Sequence, residues 1–197
     1  MNILEKLNTP IFSAEGIPSK LDYDNYKLRI DGLVENELIL SFEDIKAMSF
    51  KTYNKRLTSV SGFTVRAKWT GVPLDDLLKK AGLKSNAKYL LSTSAGGYTS
   101  CVPLSEVTEN KVCLVCYLVD NELLGPKYGG PVRLFIPHLW GYKSTKYLVM
   151  LSLIEKYIKG YWESRGYTDS AEIEPGMTYD VNSGKRKQIK GGEVTEF

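Results

Sequence analysis

A chain of 197 residues with 43% hydrophobic and 25% charged residues is long enough for one substantial core and too apolar to remain disordered. Its formal net charge of +3 is dispersed along the sequence, which argues against nucleic acid as a partner, and no apolar run approaches the length needed to cross a bilayer. The first residues lack the basic region, apolar stretch and small-residue cleavage site of a secretory signal, so the expected compartment is the cytoplasm.

In chain order, Tyr26, Leu28 and Ile30 alternate with polar residues and stop at Asp31-Gly32, which predicts an early strand and a turn. Ser41 followed by Asp44 is a capping signal for a short helix through Ile45 and Met48. Residues 51–60 read as a strand that ends in polar residues. Pro73 at a first helical position precedes Leu74, Leu77, Leu78 and Ala81 at helical spacing, and Gly82 stops the helix. Residues 89–92 and 98–102 bracket Ala95-Gly96-Gly97 as a hairpin. The run 112–119 is apolar on both faces and predicts a buried strand. Cys113 and Cys116 then point to opposite sides of it, so this C-x-x-C reads as two inert core thiols rather than a redox or zinc pair. With Cys101 the cysteine count is odd, which argues against a disulfide framework. Leu148 to Ile154 is a further strand, and residues 182–190 read as a surface arm or loop. Strands and short helices that interleave irregularly favour a mixed α+β single domain over a doubly wound sheet.

The richest stretch is Gly129-Gly130-Pro131-Val132-Arg133-Leu134-Phe135-Ile136-Pro137, with Gly141-Tyr142-Lys143-Ser144-Thr145-Lys146 close behind. A strand-like run carries Arg133, breaks at Pro137, and leads into a turn where two lysines flank a serine and a threonine. Exposed backbone donors and ammonium groups on such a turn suit a phosphate-bearing ligand. On a helical turn, Lys143 and Lys146 would both face one phosphate, Ser144 would add a hydroxyl, and Arg133 would offer a planar fork. The single histidine, His138, lies beside this segment in sequence and is assigned with it to the pocket lining.

These residues carry a resemblance. The order of Ser61-Gly62-Phe63, Trp69-Thr70-Gly71-Val72-Pro73-Leu74, Gly97-Tyr98, the 131–146 block and Gly160-Tyr161-Trp162-Glu163-Ser164-Arg165-Gly166-Tyr167 resembles the molybdopterin-binding domain of the sulfite oxidase family. That family includes bacterial members that reduce methionine sulfoxide. The resemblance implies the mixed α+β fold of that type, over 23–168, between an N-terminal arm (1–22) and a C-terminal arm (169–197). It also implies a molybdopterin cofactor with molybdenum. Arg133 falls where the family places a pterin-binding arginine, and Lys146 falls on the lysine of its Lys/Arg-Ser-x-Lys segment, which Lys143 and Ser144 open.

Two positions depart from the family pattern. The family normally has a metal-binding cysteine where this chain has Ser59, and many members have histidine where this chain has Tyr128. A serine alkoxide is a hard ligand but resists deprotonation where a thiol does not. Lys55, Arg56, Arg66 and Lys68 lie near Ser59 in sequence and would suit an oxyanion, or serve only solubility. Two readings of different class follow. One is an oxidoreductase that transfers an oxygen atom on a small sulfur oxyanion or sulfoxide, with Ser59 at the metal. The other is a catalytically silent pterin-binding or interaction module. No C-x-x-C-H haem motif is present, so electrons require an external donor or acceptor. The sequence leaves the substrate, the direction of reaction and the oligomeric state open.

Overall fold

The structure is a computed structural model that describes residues 1–108 and 111–197. Its elements in order are α1 (Ile3–Lys6), β1 (Lys27–Gly32), β2 (Leu38–Ser41), α2 (Phe42–Ala47), β3 (Lys51–Ser59), β4 (Phe63–Pro73), α3 (Leu74–Ala81), β5 (Tyr89–Ser94) and β6 (Thr99–Pro103). They continue with β7 (Leu114–Val119), β8 (Glu122–Leu123), β9 (Arg133–Phe135), β10 (Leu148–Ile154), β11 (Gly176–Asp180) and β12 (Lys185–Ile189). Single 3₁₀ turns cover Leu104–Glu106, Pro126–Tyr128, Gly141–Lys143 and Glu163–Arg165.

Alternation in β1 buries Leu28 and Ile30, and the strand pairs antiparallel with β2 and parallel with β10. With β5 and β6 these form a five-stranded sheet in the order β2-β1-β10-β5-β6. The second sheet runs β12-β11-β4-β7-β8, with β3 also paired to β4 and β9 to β7. Ser41 caps α2, accepting the Asp44 N–H while the Asp44 side chain accepts the Ser41 N–H. Pro73 ends β4 at the N-cap position of α3, one residue before the first helical position expected for it and without a side-chain hydrogen bond. The helix buries Leu74, Leu77, Leu78 and Ala81 before stopping at Gly82. Both short helices fill the larger core with the apolar face of the first sheet.

β7 has a core on each face, as its continuous apolar run requires. Val115 and Tyr117 enter the larger core, whereas Leu114 and Cys116 enter a second cluster with Trp69 and Phe135. Cys113 lies in the first cluster, on the opposite side from Cys116. Burial pushes both thiols up to about 12, so they are inert at neutral pH.

The C-terminal segment differs from the surface arm read in the sequence. Residues 176–189 form the β11–β12 hairpin, and β11 joins β4 in parallel. The usual pattern is inverted there: Thr178 and Asp180 face inward, while Met177 and Tyr179 stand exposed. Polar-in, apolar-out alternation does not read as a strand in a binary hydrophobic pattern. No helix among the described residues is long and apolar enough to cross a membrane.

Candidate active site

Side-chain parity in β9 sets the site. Phe135 stacks on Trp69 with ring centroids 4.6 Å apart, and Arg133, two residues earlier, emerges on the same face with its guanidinium 5.5 Å from the Trp69 ring. The chain segment after the Gly141–Lys143 turn runs back beside β9, with Leu134 N–H donating to the Thr145 carbonyl at 2.8 Å and Tyr147 N–H to the Gly129 carbonyl at 2.9 Å. Gly129 has φ of +95°, and a Cβ there would come within 2.7 Å of the Lys146 side chain. Only glycine provides both the left-handed turn and the room for the Lys146 stem. Arg133 and Lys146 therefore line one cavity of about 280 Å³.

Neither cation is in an ion pair among the described residues. Arg133 is buried and donates to the carbonyls of Tyr128 (3.0 Å) and Ser144 (3.1 Å). Burial lowers its pKa to about 10, which leaves it charged at neutral pH. Lys146 donates to the Phe12 carbonyl, and burial, aided by the Arg133 charge and opposed by Glu15, pulls its pKa down to about 7. Glu15 is engaged elsewhere, accepting from Ser94 Oγ and from Tyr98 N–H at 3.1 Å. Two desolvated cations with carbonyl partners make a site that is short of an anion.

Ser59 lies across the same cavity, at the tip of the β3–β4 hairpin where it is in register with Phe63. Gly62, with φ of +90°, makes the turn. A Cβ on Gly141 would lie 3.2 Å from the Thr58 carbonyl, so the absence of a side chain brings the basic turn against this hairpin. The Ser59 hydroxyl is 2.6 Å from the Ser61 hydroxyl and accepts the Ser61 N–H at 3.3 Å. The walls are largely aromatic, formed by Trp69, Tyr98, Tyr128, Tyr142, Trp162 and Tyr167, and residues 9–15 of the N-terminal arm complete the lining.

Several sequence expectations are corrected. Lys143 does not face the cavity: it is buried, and its ammonium donates to Glu163 Oε1 (2.5 Å) and the Cys101 carbonyl (2.7 Å). The 3₁₀ turn ends at Lys143, and Ser144 has φ −90° and ψ 73°, so the helical turn that would align Lys143 with Lys146 does not exist. Ser144 does line the cavity, but its hydroxyl accepts the Ile136 N–H at 2.9 Å and thereby ties the turn to the end of β9. His138 is not among the lining residues, because the chain turns away at Pro137 and carries the ring to Glu106 Oε2 at 3.0 Å. The cations near Ser59 are also occupied elsewhere: Lys55 by Glu193, Arg56 by Asp180, and Arg66 by the Thr195 carbonyl. None of these, nor Lys68, lines the cavity. Tyr128 is among the lining residues, and its hydroxyl donates to the Leu4 carbonyl at 2.7 Å. Sequence reasoning missed the N-terminal arm, where the adjacent apolar residues Ile11 and Phe12 were the available signal.

Comparison with known proteins agrees with this architecture. The chain is 31% identical over 159 residues to the oxidoreductase YuiH of Bacillus subtilis, covering 80% of each protein. It is 25% identical over 203 residues to the protein-methionine-sulfoxide reductase catalytic subunit MsrP of Campylobacter jejuni, covering 93% of this chain and 68% of that protein. Its fold is similar to the sulfane dehydrogenase SoxCD of Paracoccus pantotrophus, with a TM-score of 0.67 at 22% identity, over 88% of this chain and 46% of the other. The family model of the oxidoreductase molybdopterin binding domain matches residues 14–162. With that match spanning most of the chain, including β9 and the basic turn, the protein belongs to the oxidoreductase molybdopterin-binding domain family, whose cofactor is molybdopterin with molybdenum.

Proposed function

We propose that this protein is a molybdopterin-dependent oxidoreductase acting on a neutral sulfoxide, with Arg133 and Lys146 holding the cofactor phosphate and Ser59 facing the metal. The observation that carries this reading is the pairing of two cations that lack a carboxylate partner among the described residues with an otherwise aromatic cavity. The residues fit the cofactor: a phosphate supplies the missing anion, and it restores the charge that burial removes from Lys146.

When bound, the cofactor supplies two-electron oxygen-atom transfer at molybdenum. Reduction of a sulfoxide to a sulfide consumes two electrons and two protons and releases water, so an external donor provides the electrons. The chain's own residues bind and orient. Arg133 and Lys146 fix the phosphate end. Tyr98, Tyr142, Trp162 and Tyr167 exclude water and offer faces to the apolar groups of a sulfoxide. The Ser61 N–H aimed at Ser59 Oγ favours negative charge on that oxygen, as a ligand to a high-valent metal needs.

The choice of a neutral substrate over sulfite follows from the charges. Glu15, Arg133 and Lys146 are the charged residues among those lining the cavity, and the two cations are assigned to the cofactor. A sulfite dianion would enter an aromatic space with no remaining cation, at a desolvation cost that a neutral sulfoxide avoids. The similarity to MsrP supports the same class. A second reading, a pterin-binding member without turnover, is favoured by one observation: the Ser59 hydroxyl is bonded to another hydroxyl rather than to a base.

Protein made in a molybdopterin-competent host, assayed with a reduced viologen, should reduce dimethyl sulfoxide and an aryl methyl sulfoxide. Its kcat/KM for sulfite oxidation should be lower by about 100-fold or more. Ser59→Cys should raise sulfoxide turnover and add sulfur-to-metal charge-transfer absorption. Metal-loaded protein that turns over no sulfoxide, with serine or with Ser59→Cys, would establish the silent reading. Faster turnover of sulfite than of sulfoxide would overturn the substrate assignment.

A further inference from the structure

We infer that Lys143 and Glu163 are positioning residues, a buried strut that holds the aromatic wall of the cavity against the turn leading to Lys146. The pair is fully buried, with both side chains 0% exposed and 2.5 Å between Nζ and Oε1. It joins two elements distant in sequence. Lys143 ends the 3₁₀ turn whose Gly141 and Tyr142 line the cavity, and Glu163 opens the next one, between the lining residues Trp162 and Tyr167.

Everything around the pair serves the same joint. Lys143 Nζ also donates to the Cys101 carbonyl on β6, so three segments meet at one ammonium. The rings of Tyr142 and Tyr157 lie 5.6 and 5.9 Å from it. Gly160 lies flush on β6: a Cβ there would come within 2.5 Å of the Thr99 carbonyl and 2.8 Å of Glu163 Oε2. Tyr161 N–H donates to the Thr99 carbonyl at 2.9 Å. Beyond the joint, Tyr98 donates to the Tyr142 carbonyl at 2.5 Å, and Tyr167 packs edge-on against Tyr142 at 5.3 Å.

Net stability is a poor account of this arrangement. Glu163 Oε2 is buried with no hydrogen-bond partner among the described residues, which leaves part of the desolvation uncompensated. An apolar pair of similar volume would pack without that loss. A charged, directional contact adds a single geometry for the joint. In that geometry Trp162, Tyr167 and Tyr142 pack into one wall of the cavity, and the position of that wall sets the width available to a substrate.

The size-selection part of this inference rests on the proposed sulfoxide chemistry; the positioning itself does not. The test uses the holoprotein carrying Lys143→Met together with Glu163→Gln, which removes both charges at once and leaves no lone buried ion. Amide hydrogen exchange should accelerate by about tenfold or more across 160–167, while β5, β10 and the pterin content stay as in the parent. The kcat/KM ratio between an aryl methyl sulfoxide and dimethyl sulfoxide should shift by about tenfold. A variant that melts at lower temperature yet exchanges at the parental rate in 160–167 would overturn the inference, because a pair serving only global stability behaves in that way. Should the double variant not fold, Gly160→Ala forces the same joint apart from β6 with both charges in place. It should give the same local acceleration, and parental exchange there would equally overturn the proposal. Accelerated exchange without sulfoxide turnover in the parent would keep the strut and reject the proposed function.

Discussion

Lys143 and Lys146 stand three residues apart in one basic turn, and the fold gives them opposite surroundings. Lys143 is sealed into an ion pair with Glu163 and is not among the residues that line the cavity. Lys146 is half-buried at the cavity beside Arg133, with a backbone carbonyl for a partner. The difference is one of charge balance. Around Lys143 the opposing charge is in direct contact, whereas around Lys146 no described carboxylate forms an ion pair and Glu15 acts only from a distance. A buried cation with its counter-ion in place reads as structure, and a desolvated cation without one is the basis on which Lys146 is proposed as a binding residue.

The sharpest way to break this comparison is to remove each ammonium in turn and measure unfolding in urea. Lys143→Met strands a buried carboxylate and should lower stability by about 3–5 kcal/mol. Lys146→Met removes a cation that the cavity already disfavours, and apo protein should lose less than about 1 kcal/mol, or gain. Equal losses for the two variants would erase the distinction drawn between them.

A smaller effect sharpens the same contrast through pH. In the ligand-free protein Lys146 titrates near 7, and a bound phosphate would raise that value. Below about 7 the ammonium is already charged, and phosphate affinity should not depend on this group. As pH rises through 7, binding must bring a proton with it, so affinity should fall by up to about tenfold per pH unit until the bound-state pKa is reached. Titration of inorganic phosphate against apo protein from pH 6 to 9 measures this slope. Because phosphate itself loses a proton in this range, the contribution of Lys146 is the part of the slope lost in Lys146→Met, and that part should persist in the Lys143→Met/Glu163→Gln protein.

Much of the scaffold was legible in the sequence because local signals and tertiary packing agree there. The Leu28/Ile30 alternation, the Ser41 capping box, the 74–81 helix and the two-faced run containing Cys113 and Cys116 each have one reading in terms of period or cap. Arg133 and Lys146 were also legible, since a strand-borne arginine and a lysine after a glycine-rich turn reach the same cavity. What failed depended on direction rather than residue type. Lys143 diverges from Lys146 because Ser144 leaves helical geometry, and His138 diverges because Pro137 turns the chain toward Glu106. β11 was illegible because its buried face is polar, with Asp180 paired to Arg56. That same pairing removes Arg56 from the oxyanion role its place in the sequence suggested. The N-terminal arm lines the site through residues 9–15, which carry no periodic signal.

Pterin content of protein purified from a molybdopterin-competent host tests the central claim most directly, with parent and Lys146→Glu compared side by side. The substitution sets a carboxylate beside the proposed phosphate, a like-charge contact in a poorly solvated site. The parent should carry pterin close to one per chain and Lys146→Glu essentially none, while Lys143→Met/Glu163→Gln keeps the parental amount. Equal pterin in parent and Lys146→Glu would contradict the assignment of this cavity.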